Sequence, residues 1–294
     1  MVLFKGVGAA MVTPFSSDGN IDYNVLDRYI EHLISGGVSA LLPFGTTGEP
    51  PTLSADEYTE ALKYIVKKVN GKIPVIAGAG SNSTHKAYEQ AMLAKRCGAD
   101  GVLVVTPYYN KCTQRGIVEH YKEVAKAGLP VIVYNVPSRT GVSIAPATLK
   151  ELAAVKGIVG IKEASGNIDL FQDVAKVCAE SGLSLYCGED SLTTVGMALG
   201  CAGVISVAAN PAPRYMSELC ELCFANNYPA ARELQFKLEE FIDCLFCEVN
   251  PIPVKKAMQL LGLEVGAPRL PLTELEPEHT NRLKIAMKEI GLIK

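Results

Sequence analysis

The stretch IVGIKEASG, residues 158–166, decides how the chain folds. It has the length of a β-strand and is apolar on both faces rather than alternating, the pattern of a strand covered on each side. Lys162 alone breaks the apolar run. Strand alternation puts Lys162 on one face with Gly160 and Ala164, while Ile161 and Glu163 point the other way. If the first face is an interior, the amine projects into a space its small neighbours leave open.

Seven further runs of this kind occur: GVGAAMVTPF from Gly6, SALLPFG from Ser39, PVIAGAG from Pro74, GVLVVTPYY from Gly101, PVIVYNVP from Pro130, SLYCGED from Ser184 and GVISVAAN from Gly203. Segments with helical spacing separate them. After the second run, Ser54-Ala55-Asp56-Glu57 is a capping box, followed by Tyr58, Ala61, Leu62, Ile65, Val66 and Val69 on one helical face. Between the first two runs, Leu26, Ile30, Leu33 and Ile34 form a similar face, and Gly36-Gly37 mark its end. Eight strand-then-helix units over about 220 residues predict an α/β fold, the closed (β/α)8 TIM barrel. An open doubly wound sheet is disfavoured, since no GxGxxG follows the first strand. Beyond about residue 225 the pattern changes to helices without strands, so a barrel over 1–225 and a C-terminal helical region over 226–294 are expected.

Composition narrows the function classes. The 294 residues are 48% hydrophobic with a formal net charge of −3, which gives no electrostatic case for nucleic acid or an anionic membrane. The N-terminal sequence lacks a secretory h-region and no apolar stretch reaches bilayer length, so a cytoplasmic protein is expected. Nine cysteines, scattered through helical and strand patterns, read as reduced core thiols.

Reactive residues of such a barrel sit at the C-terminal ends of its strands. There the chain places Thr13, GTTGE at 45–49, Asn82, TPYYN at 106–110, YNVPSRTG at 134–141, Lys162 with Glu163, Gly188 to Asp190, and Ser206 to Asn210. Lys162 reads either as half of a buried ion pair, as an amine snorkelling to the barrel mouth, or as a nucleophile. A nucleophilic amine must be neutral, and burial away from carboxylates favours that form. A neutral lysine in a closed pocket suits a Schiff base with a carbonyl substrate. Such chemistry needs a proton shuttle, for which Tyr134, one strand away, is placed, though a strand tyrosine also serves as packing. Thr46 and Thr47 lie in a glycine-flanked turn able to receive a small anion, and Arg139 offers a fork for a carboxylate. Each has a plainer reading, as a turn cap or a solvated loop cation.

Together GTTGE, TPYYN, YNVPSRTG and IKEASG, with GVISV and the late NPIPVK, resemble the dihydrodipicolinate synthase family over the whole chain. The resemblance implies a lyase that condenses pyruvate with aspartate 4-semialdehyde in the diaminopimelate route to lysine, without a cofactor or a metal. It implies that Lys162 forms the Schiff base, and that Tyr134, Thr46 and Tyr109 relay protons, Tyr109 from a neighbouring subunit. Thr47 joins Thr46 in holding the pyruvate carboxylate, Arg139 binds the semialdehyde carboxylate, and Gly188 and Ile205 line the pocket. The implied assembly is a homotetramer built as a dimer of dimers. N-acetylneuraminate lyase and keto-deoxy sugar acid aldolases share the lysine and the tyrosine, but Arg139 and Tyr109 favour the synthase. Where lysine-inhibited members carry a glutamate and two histidines, this chain has Lys86, Ala55 and Tyr58, so weak lysine feedback is expected. Two readings of another class remain: a zinc module built on Cys220, Cys223, Cys244 and Cys247, and a non-catalytic barrel that binds a small acid.

Overall fold

The computed structural model describes residues 1–294, and its eight strands fall where the apolar runs lie. They are β1 (Gly6–Ala10), β2 (Ala40–Leu42), β3 (Ile76–Gly78), β4 (Gly101–Val105), β5 (Val131–Asn135), β6 (Ile158–Glu163), β7 (Ser184–Cys187) and β8 (Gly203–Ser206). All pair in parallel, in the order β2-β1-β8-β7-β6-β5-β4-β3. A bridge between Leu41 and Val75 joins the two ends of this order, with Gly78 N donating to Pro43 O at 2.9 Å, and the sheet becomes a nearly closed (β/α)8 barrel.

Each strand is shorter than its run. The last residues of every run leave the ladder and turn into the loop that follows, which is where the polar residues begin. The helices follow the periodicity. In the helix Ala55–Val69 both halves of the capping box form, Glu57 N to Ser54 Oγ at 3.1 Å and Ser54 N to Glu57 Oε2 at 2.8 Å. Its buried face is Tyr58, Ala61, Leu62, Ile65 and Val69. The helix Tyr23–Ser35 ends at Gly36-Gly37, but only Gly37 is left-handed, with φ of 88°.

Two apolar cores result. The larger fills the space between sheet and helices, and the smaller fills the lumen with residues such as Phe4, Leu42, Leu103, Ile132, Tyr134, Ala164, Tyr186 and Ile205. Phe4 stacks on Tyr186 at 4.4 Å, and the Tyr186 hydroxyl donates to Phe4 O at 3.0 Å, plugging the lumen. The helix Pro213–Phe224 packs against β1 and β8 as the eighth helix of the ring. Three more follow, Tyr228–Cys244, Ile252–Leu260 and Pro277–Glu289.

A buried ion pair fastens this C-terminal region to the barrel. Lys255 Nζ lies 2.6 Å from Glu49 Oε1, each side chain 1% exposed, and also donates to Ala267 O at 3.1 Å. Glu49, held left-handed at φ of 55°, accepts from the Arg269 backbone N–H at 2.8 Å. Arg269 in turn pairs with Glu57 and donates to Thr52 O and Gly19 O. Removing one member of a buried pair strands the other charge, so Lys255→Met is expected to lower unfolding free energy by about 3–5 kcal/mol in urea denaturation. Adding Glu49→Gln should restore part of that loss; equal stability of wild type and Lys255→Met would show that the pair contributes nothing.

Candidate active site

Lys162, the penultimate residue of β6, lies inside the barrel and is 5% exposed. Register sets its neighbours: Tyr134 on β5 and Tyr186 on β7 both lie beside Lys162 in the parallel ladders. Its Nζ sits over the Tyr134 ring, 4.4 Å from the centroid. Lysine is accommodated there because the surrounding positions are small. A Cβ on Gly160 would meet Ser184 O at 2.5 Å, and one on Gly188 would meet Ala164 Cβ at 2.6 Å and Lys162 Cε at 2.9 Å. Glycine at 188 therefore leaves the space that the amine faces. Alternation turns Glu163 outward, where it accepts from Asn135 Nδ2 and the Ser165 N–H, each at 2.7 Å.

Above the amine lies a cavity of about 200 Å³, lined by Lys162, Tyr134, Thr46, Thr47, Arg139, Gly188, Glu189, Phe246 and Asn250 among others. A second hollow of about 330 Å³ shares Thr46, Tyr134, Arg139 and Asn250 with it and opens outward between Pro50, Pro51, Tyr108, Val249 and Leu272. GTTGE forms one tight turn, Thr46–Gly48, with Gly48 N donating to Gly45 O at 2.8 Å and Thr13 Oγ1 to Gly48 O at 2.6 Å. Arg139 sits in the short helical turn Pro137–Thr140 at the rim.

Asn250 ties these pieces together. Its Nδ2 donates to Thr47 Oγ1 at 2.9 Å, and its carbonyl accepts from Arg139 Nη2 at 3.3 Å. Its Oδ1 is buried without a partner. Asn250 lies in the quoted NPIPVK but carried no sequence signal for a site role, because both partners are more than a hundred residues away. Glu189 is the second addition. It stood in the strand-end stretch 188–190 without a role, and it lines the cavity. Burial pushes its carboxyl up to about 7, against the opposing pull of the Lys162 charge. Asp190 beside it is committed elsewhere, accepting from the N–H groups of Val207 and Ala208 at 3.0 and 2.9 Å.

Six of the eight sequence-selected residues thus converge: Lys162, Tyr134, Thr46, Thr47, Arg139 and Gly188. Two do not line the cavity. Ile205 is fully buried in the lumen core, and Tyr109 is 89% exposed with φ of 71° and lines neither hollow. The cysteines proposed for zinc lie in and after the helices Pro213–Phe224 and Tyr228–Cys244, and no three His, Cys, Asp or Glu side chains are grouped to hold a metal ion. No helix is long and apolar enough to cross a membrane.

A buried amine beside a phenol, under a loop of hydroxyls and backbone N–H groups with an arginine at the rim, can add to a carbonyl while holding carboxylates. The dihydrodipicolinate synthetase family model matches residues 3–290. The 4-hydroxy-tetrahydrodipicolinate synthases of Caldicellulosiruptor bescii and Archaeoglobus fulgidus are each 45% identical, covering 99% of this chain and 99% and 100% of their own. The dihydrodipicolinate synthase structure from Thermotoga maritima superposes with a TM-score of 0.97 at 42% identity, covering 99% of this chain and 100% of that one. A match over nearly the whole length and on the same barrel shows that the chain belongs to the dihydrodipicolinate synthetase family.

Proposed function

We propose that this chain catalyses the condensation of pyruvate with L-aspartate 4-semialdehyde, the reaction of a 4-hydroxy-tetrahydrodipicolinate synthase, a lyase of the diaminopimelate route to lysine. The observation that carries the reading is the Lys162 amine, buried at the floor of a small cavity 4.4 Å from the Tyr134 ring. Lys162 Nζ attacks the pyruvate ketone, and loss of water leaves the Schiff base. Loss of a methyl proton gives the enamine, whose carbon attacks the aldehyde. The substrate's own amine, once it has lost a proton, then adds to the Schiff-base carbon, closing the ring and releasing Lys162 as the free amine. Tyr134 and Thr46 carry protons to and from oxygen, while the turn around Thr46 and Thr47 receives the pyruvate carboxylate. Arg139, steadied by Asn250 O, takes the carboxylate of the semialdehyde. Gly188 and Ile205 shape the cavity and the packing beneath it.

Tyr109 completes the relay from a neighbouring subunit in this reading. Its 89% exposure and the open hollow of about 330 Å³ beside Tyr108 support a dimer in which each chain lends this phenol to the other, with two dimers forming a tetramer. The nine free thiols fit a cytoplasmic enzyme.

Two measurements test the reading. Borohydride reduction in the presence of pyruvate, followed by peptide mass mapping, is expected to place the adduct on Lys162, and Lys162→Ala is expected to abolish turnover. An adduct on another lysine would sink the mechanism. The second concerns feedback. Lys86 and Ala55 are exposed near the starts of their helices, whereas Tyr58 is buried and donates to Gly78 O at 3.0 Å. An ammonium ligand would meet a cation at Lys86, so L-lysine is expected to inhibit weakly or not at all. Inhibition at sub-millimolar lysine in a purified-enzyme assay would overturn that.

A further inference from the structure

Glu189 is the one acid of the cavity with nothing bound to it. Its carboxyl makes no hydrogen bond and no ion pair to the protein, although it is half-buried in a cavity that Lys162 and Arg139 also line. Lys162 and Arg139 both act on it electrostatically, and neither is close enough to pair with it. The other nearby acids each have partners: Glu163 in Asn135 and Ser165, Asp190 through Oδ2 alone in Val207 and Ala208, Glu49 in Lys255 and Arg269. The Glu189 oxygens are not sealed in the core but open into the cavity, where a ligand carrying a donor can reach them.

The second substrate of the proposed reaction is an α-amino acid, so it brings an ammonium and a carboxylate on the same carbon. The reading gives the carboxylate to Arg139 and assigns no residue to the ammonium, which has to be held and then to lose a proton before the amine can close the ring. We infer that Glu189 receives the ammonium of the second substrate, so that Arg139 and Glu189 together select a zwitterion over an aldehyde that lacks an amine. The inference rests on the proposed function and deepens it. Burial holds the empty carboxyl up to about 7, and an arriving ammonium favours the anion that binds it. Selection would then come from a polar group that an unaminated aldehyde leaves unpaired, the arrangement that discriminates most strongly between similar substrates. Pyruvate has no cation and should not sense Glu189.

The experiment compares wild type, Glu189→Gln and Glu189→Asp in three assays: borohydride trapping of pyruvate, turnover of L-aspartate 4-semialdehyde, and inhibition by succinate semialdehyde, the same aldehyde without the amine. In Glu189→Gln, trapping at Lys162 should persist and succinate semialdehyde should inhibit as before. Its kcat/KM for L-aspartate 4-semialdehyde should fall roughly 10- to 100-fold, the loss of one charge-assisted hydrogen bond. Glu189→Asp should recover part of it. Equal weakening toward both aldehydes, or no change toward either, would overturn the assignment. Should Glu189→Gln fail to trap pyruvate, the wild-type enzyme decides: the aminated aldehyde must bind at least tenfold more tightly than succinate semialdehyde, and equal affinities overturn it. Failure of wild type itself to trap pyruvate at Lys162 would instead bring down the proposed function.

Discussion

An amine held in an apolar barrel lumen without a counter-ion is the constraint on which the site depends. Lys162 has no ion-pair partner; its Nζ rests on the Tyr134 ring, and small residues surround its stem. An acid paired with such an amine would favour the ammonium form over the neutral amine that the proposed Schiff-base chemistry requires. The neighbouring carboxylates are disposed accordingly. Glu163 is turned to the outer face of β6, and Asp190 is bound by backbone N–H groups. Glu189, the one that shares the cavity, stands off, and burial disfavours its charge.

Two lysines of this chain lie in apolar sequence, and they meet opposite fates. Lys255, in PVKKAMQLLGL, is the buried ion pair that Lys162 was equally able to be on sequence grounds. Spacing does not separate the cases. What separates them is what lies opposite: for Lys255 a left-handed Glu49 at the end of GTTGE, for Lys162 a glycine and a tyrosine ring. The paired lysine serves the unpaired one, because Glu49 closes the turn that presents Thr46 and Thr47 over the Lys162 amine. Through it the C-terminal helices become part of the site rather than an appendage to the barrel.

What the sequence made legible follows from locality. A strand's face alternates every residue and a helix cap spans four, so β6, the capping box at Ser54 and the inward direction of Lys162 could be read without coordinates. Strand ends were legible too, which brought Thr46, Tyr134, Arg139 and Gly188 onto one short list. Asn250 was not, since its meaning lies in bonds to Thr47 and Arg139, across 203 and 111 residues. Glu189 was hidden differently. It was on the page as a loop acid, but its importance is that no donor reaches it, and an absence of partners is a property of the folded neighbourhood alone.

The division between floor and walls follows from the same difference. The floor, Tyr134–Lys162–Tyr186, is set by ladder register across three strands, so its geometry cannot shift without slipping the sheet. The walls come from loops that register does not control, and each is fixed by a tether: Thr13 to Gly48, Asn250 to Thr47 and Arg139, Lys255 to Glu49. In the proposed mechanism the Schiff base forms on the floor, while the Thr46–Thr47 turn of one wall holds the pyruvate carboxylate. In the proposed reaction the choice of the second substrate belongs to the walls, where Arg139 and Glu189 line the same cavity, so changes of specificity on this barrel should arise in the tethered loops while the register of β5, β6 and β7 stays as it is.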